Sequence, residues 1–132
     1  MNLTEFLSAT FASYVLGALW FSPLLFGNIW AKLAGMDKKI SNVTKSQMNT
    51  AYAGNLLTTM VSVYVLSLFL DYANANTLFS AVSVAFLAWL GFLATTQLGS
   101  VFWERKPVSL YLITTSHTLV SLVVMAVVLT LL

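Results

Sequence analysis

Four long apolar stretches, nearly free of charge, take up most of this chain and constrain its fold more than any other feature. They run from about Leu3 to Phe21, Ser46 to Leu70, Leu78 to Trp103 and Val108 to Leu132. About twenty apolar residues suffice for one helical membrane crossing. Of the 132 residues, 59% are hydrophobic and 8% charged, against about a quarter charged in soluble domains. So short a chain cannot hide that much apolar surface from water, and the excess must face lipid. The expected fold is all-α: an integral membrane four-helix bundle forming one domain over residues 1–132. Proline cannot donate to the helical ladder, so Ser22-Pro23 ends or kinks the first crossing. Leu24, Leu25, Phe26, Ile29, Trp30 and Leu33 recur at roughly helical spacing, which suits a short interfacial helix within the connection 24–45.

Charge sets the expected orientation. All six basic residues (Lys32, Lys38, Lys39, Lys45, Arg105 and Lys106) fall in the first and third connections. The positive-inside rule makes those connections cytoplasmic and puts both termini outside, as an even number of crossings requires. Trp20, Trp30 and Trp103 lie at the cytoplasmic boundary and Tyr72 near the other, as in an aromatic belt. Met1 to Leu7 has no Lys or Arg, and Ala18-Leu19-Trp20-Phe21 is too bulky for a signal cleavage site. The first helix is therefore expected to be retained.

Several functions are disfavoured. The cations are too few and scattered to neutralise nucleic-acid phosphates. Cysteine is absent, so disulfide frameworks and Cys-based metal or redox chemistry are out, and a lone His makes a metal site improbable. There is no phosphate loop, HExxH or paired-carboxylate pattern, so neither an enzyme nor a cofactor is expected. No charged residue lies deep in a span, which argues against carriers that exchange protons on a buried carboxylate.

The strongest polar side chains within the spans are Asn49, Asn55, Gln97 and His117. At 1.5 Å rise per residue from the cytoplasmic ends, Asn55 lies about 14 Å deep, Gln97 about 9 Å and His117 about 15 Å. Three helices thus put amides or imidazole in the inner half, among Thr95, Thr96, Thr114, Thr115, Ser116 and Thr118. This suggests a polar pocket open to the cytoplasm. The bland alternative is hydrogen bonding between helices. Rows of small residues mark close helix approach in lipid: Ser46, Thr50, Gly54, Thr58 and Ser62 on the second helix; Ala81, Ala85, Ala88, Gly91, Thr95 and Gly99 on the third; Ala9, Ser13 and Gly17 on the first. These rows are expected inside the bundle, with one spared for a neighbouring subunit. The Leu- and Val-rich second half of the last helix is expected to face lipid.

The segment from Leu16 to Trp30 carries Gly17, then Trp20-Phe21-Ser22-Pro23, then Phe26-Gly27 and Trp30. At these spacings it resembles the opening signature of a bacterial family of small membrane proteins catalogued as domain of unknown function 1761. The resemblance implies a four-helix membrane fold and supplies no activity. Trp20, Ser22, Pro23, Gly27, Trp30 and Trp103 are expected at structural corners, or as a gate beside the pocket. The functional expectation is a transporter or channel component of the bacterial inner membrane. It would be a dimer or trimer in contact with lipid, handling a small polar solute or ion. The alternative is a structural or accessory protein acting through helix association.

Overall fold

The computed structural model describes residues 1–36 and 42–132. Lys38 and Lys39 of the basic connection lie outside the described residues. The described chain is helical: α1 (Leu3–Trp20), α2 (Gly27–Leu33), α3 (Lys45–Tyr72), α4 (Leu78–Phe102) and α5 (Val108–Leu131). The described residues thus form five helices rather than four, the fifth being α2, in the connection 24–45 where a short helix is expected. α3, α4 and α5 are long and apolar enough to cross a membrane. α1, 18 residues long, carries Glu5 and the hydroxyls of Thr4, Ser8, Thr10 and Ser13 and does not reach that measure.

Local chemistry fixes the helix ends. α1 opens on a capping box: Glu5 N–H donates to Asn2 Oδ1 at 2.8 Å, and Asn2 N–H donates to Glu5 Oε2 at 3.2 Å. Thr44 with Gln47 and Thr77 with Ser80 do the same for α3 and α4, satisfying N–H groups that the first turn leaves free. α5 starts directly after Pro107. α2 stops at Gly35, whose φ of +71° lets Met36 N–H reach back to Ala31 O at 2.7 Å, a closure that glycine makes without a Cβ clash.

α5 is the hub and touches each of the other four helices. Its Ser121, Met125 and Ala126 are buried, so one face of its second half packs inside the bundle while the rest of that half stays partly exposed. Leu and Val suit a lipid face and a packed face equally when the solvent is hydrocarbon, so composition could not tell them apart. α1 runs antiparallel to α5 with its small row against it. Ala9 joins Met125 and Ala126 in the core, Ser13 Oγ hydrogen-bonds Ser121 Oγ, and Gly17 lies against His117.

The other two rows are not both inside the bundle. Ser46, Thr50, Gly54, Thr58 and Ser62 are all exposed, because the residues that α3 buries lie in its second half, at Val63, Leu66, Ser67 and Leu70. On α4, Ala81 and Ala85 are buried, but a π-helical turn then spans Trp89–Ala94. The extra residue of a π-turn rotates the remainder of the helix by about 100° around its axis. Gly91 consequently has nothing within 4 Å of a Cβ position, and Gly99 meets only Trp103 Cδ1 at 4.0 Å. Among the described residues, Thr50, Gly54, Thr58, Gly91 and Gly99 therefore do not pack helices together. The π-turn instead aims Trp89 at α5, where its indole N–H donates to Thr115 O at 2.8 Å and Thr118 Oγ1 at 3.1 Å.

Candidate functional site

The corner between α1 and α2 is built from backbone geometry first. Pro23 cannot extend α1, and the released carbonyls find partners within the turn: Ser22 Oγ donates to Leu19 O at 2.7 Å and Phe26 N–H to Trp20 O at 3.0 Å. Gly27 N–H donates to Ser22 O at 2.8 Å. The chain folds back so tightly that a Cβ on Gly27 would lie 2.4 Å from Phe21 O and 2.6 Å from Ser22 O. Only glycine fits there.

That corner sets its aromatic residues around His117. Trp20 donates its indole N–H to Ile113 O on α5 at 3.0 Å, and its ring centroid lies 6.0 Å from the imidazole. Phe21 meets the imidazole edge-on at 5.0 Å, and Trp30 packs edge-on against Phe21 at 5.3 Å. Behind the ring, Gly17 leaves just enough room: a Cβ there would sit 3.2 Å from His117 Nε2. Each residue of the Gly-Trp-Phe-Ser-Pro…Phe-Gly…Trp pattern thus closes the corner or borders the histidine.

In front of this wall lies a cleft of about 550 Å³ between α1, α2, α3 and α5, lined by Tyr14, Gly17, Ala18, Phe21, Ser22, Trp30, Tyr52, Asn55 and His117. His117 Nε2 is buried and has no hydrogen-bond partner among the described residues. Such an atom is costly in an apolar medium unless something else satisfies it. Asn55 stands on the far wall, exposed, while its backbone carbonyl accepts from the hydroxyls of Thr58 and Thr59. Tyr14 ties the two walls by donating its hydroxyl to Tyr52 O at 3.3 Å. Among the described residues the lining carries no charged side chain, so recognition there would rest on hydrogen bonds and aromatic faces.

The structure thus brings together Asn55, His117, Ser22 and Trp30, with Trp20 and Gly27 behind them. Gln97 is not part of the cleft; it sits on the last turns of α4, half-buried, with Oε1 lacking a partner. Lying in the same half of the membrane does not place residues of two helices face to face, and the π-turn has already rotated this end of α4. Asn49 is exposed on the uncovered half of α3. Trp103 is 89% exposed at the α4–α5 corner, so it anchors no gate. Tyr14 and Tyr52 were missed in the sequence. Tyrosines placed within a span rather than at its edge were the available signal.

A family model described as "Protein of unknown function (DUF1761)" matches residues 4–130. The chain belongs to this family. No curated protein and no solved structure matches it. The DUF1761 match runs from the first turn of α1 to the last turn of α5. Corner, cleft and hub helix therefore fall within one family unit. Three helices of the length and apolarity to span a bilayer mark the chain as a membrane protein.

Proposed function

We propose that this protein is a transport component of the cytoplasmic membrane, taking up a small polar solute or ion in the cleft between Asn55 and His117. The observation that carries the proposal is the buried, unpartnered His117 Nε2 at the wall of a cleft of about 550 Å³. An unpaired polar atom is costly in an apolar medium, and a polar guest at the cleft would relieve that cost. The site is uncharged and aromatic, so it would hold its cargo weakly enough to release it. Purified protein in liposomes should pass at least one small solute or ion faster than empty liposomes. His117→Ala and Asn55→Ala should remove that excess. Excess flux unchanged in both variants would refute the assignment.

In this proposal α1 also crosses, so that four helices span the bilayer with both termini outside and the Arg105-Lys106 corner in the cytoplasm. The absence of cysteine makes the topology directly testable. In intact cells, an impermeant thiol reagent should label a cysteine placed at Asn76 and spare one placed at Lys106. Labelling at Lys106 with Asn76 spared would refute the orientation and move the cleft to the other face, and labelling of both would refute the crossing of α4.

One observation favours a second reading, a scaffold that associates with itself or with a larger membrane protein. The small row on α3 is bare, and Gly54 has nothing within 4 Å. A glycine-bearing row in lipid allows close backbone approach by another helix. Gly54→Leu should split a dimer or trimer in mild detergent. If Gly54→Leu removes all activity in cells while liposome flux is absent from the wild type, the scaffold reading prevails.

A further inference from the structure

The charged side chains of the described residues are sorted to opposite ends of the bundle. Lys32, Lys45, Arg105 and Lys106, with the single anion Glu104, lie at the end where α1 and α4 finish and α3 and α5 begin, and all five are exposed. The other end holds Glu5 and Asp71. Within the cationic end, the α4–α5 corner joins charge to bare apolar surface. Phe102 is 69% exposed and Trp103 more so; Arg105 and Lys106 come directly after them, and Val108 is exposed on the far side of the turn. The chain around α2 repeats this order, with Leu24, Leu25 and Ile29 exposed and Lys32 following. α2 lies against α5, which starts at the corner. Backbone geometry adds a further observation. Arg105 has a φ of +55°, a conformation that glycine or asparagine adopts more readily. The turn thus carries a long cation where a smaller residue would fit with less strain.

We infer that the α4–α5 corner is a docking surface for an anionic phospholipid, with the phosphate on Arg105 and Lys106 and the acyl chains over Phe102, Trp103 and Val108. Lys32 and the exposed residues around α2 extend the same surface. Height and charge decide the partner. α4 has 25 residues, about 37 Å at 1.5 Å per residue, against a hydrocarbon core of about 30 Å. Its last turn therefore stands among the headgroups. Anionic headgroups attract cations at that level, by about fivefold in affinity for each Lys or Arg. A guanidinium adds direction, because its planar fork can bond two phosphate oxygens at once. A zwitterionic lipid carries its own cation beside the phosphate and forgoes most of that attraction. A soluble acidic partner could reach the cations, but it would have to displace the lipid that already covers Phe102 and Trp103. One phospholipid serves rings and cations together. This surface lies outside the bundle and uses neither His117 nor Asn55, so the inference is independent of the transport reading.

The test places the full chain in phosphatidylcholine vesicles that contain a minor share of brominated phosphatidylglycerol or, in parallel, of brominated phosphatidylcholine. Bromine quenches tryptophan fluorescence only at close range, and Trp103 is the reporter at the corner. Brominated phosphatidylglycerol should bind about fivefold more tightly than its zwitterionic counterpart. Trp103→Phe should remove the extra quenching, and molar salt should shrink it. Arg105→Gln combined with Lys106→Gln should bring the two lipids level. Arg105→Asn, which suits the backbone of the turn, supplies a second loss of charge should the double variant fail to fold; it should melt no lower than wild type and lose part of the preference. Equal quenching by the two lipids in the wild type would overturn the inference, as would a preference that survives in a folded variant. Removal of the preference by soluble glycerophosphate or an acidic peptide, but not by sodium chloride of equal ionic strength, would assign the cations to a soluble partner and overturn it too.

Discussion

Replacing Gly27 by alanine should destabilise the protein by about 3 kcal/mol, the upper part of the range for forcing atoms into a filled space. The added Cβ would lie 2.4 Å from Phe21 O, 2.6 Å from Ser22 C and 2.6 Å from Ser22 O. All three are backbone atoms, so no flexible side chain can swing away. Relief requires opening the turn, and the turn is held by Gly27 N–H to Ser22 O at 2.8 Å and Leu25 N–H to Ser22 O at 3.1 Å. Opening it also moves Trp30, which packs on Phe21, and thereby the wall around His117. The melting temperature in detergent should fall sharply for Gly27→Ala and further for Gly27→Val. Gly54→Ala and Gly91→Ala, with nothing within 4 Å, should be neutral or slightly stabilising, since alanine is the better helix former by about 1 kcal/mol. Gly27→Ala melting with the wild type would mean that the corner is loose enough to admit a Cβ and that the signature needs another cause.

This contrast between glycines shows what could be read from the residues alone. Helix extents were accessible because hydropathy and length govern them, and α3, α4 and α5 begin and end within two residues of the apolar stretches. The corner was accessible because Ser22, Pro23 and Gly27 each carry a local backbone requirement. Helix faces were not. The three small rows look alike in sequence, yet the one on α1 is buried, the one on α3 is bare, and the one on α4 is divided by a π-turn. In water, burial would have separated apolar from polar faces, but in lipid that contrast is weak. Only the partner decides which row is used, and α5, the partner, looked like a lipid-facing helix. His117 and Asn55 were found because their polarity is costly in a span. Gln97 had similar polarity in the same half of the membrane, but no residue pattern announced the rotation of its helix. The Ser13–Ser121 pair gave no signal, since serines are ordinary in membrane helices.

Trp89 carries the second large effect. Its indole N–H donates both to the backbone carbonyl of Thr115 and to Thr118 Oγ1, at 2.8 and 3.1 Å. It lies at the first residue of the π-turn, so it holds α4 to α5 where α4 loses its regular register. Trp89→Ala removes the ring and both bonds. Lipid can cover the exposed surface, so the cost should be about 2 kcal/mol, below the 3–5 kcal/mol of a tryptophan in a water-soluble core. Trp89→Phe keeps an aromatic ring and removes the donor with its two bonds, for a loss of about 1 kcal/mol at the ~0.6 kcal/mol usual for each hydrogen bond in a bundle. Thr118 loses little beyond that bond, because its own hydroxyl already donates to Thr115 O at 2.8 Å. Reversible unfolding in mixed micelles should therefore rank the proteins as wild type, then Trp89→Phe, then Trp89→Ala. An equal loss for the two variants would make the hydrogen bonds the whole of the contribution. No loss in either would mean that α4 is held by Ala81 and Ala85 alone, leaving its π-turned half free to move against α5.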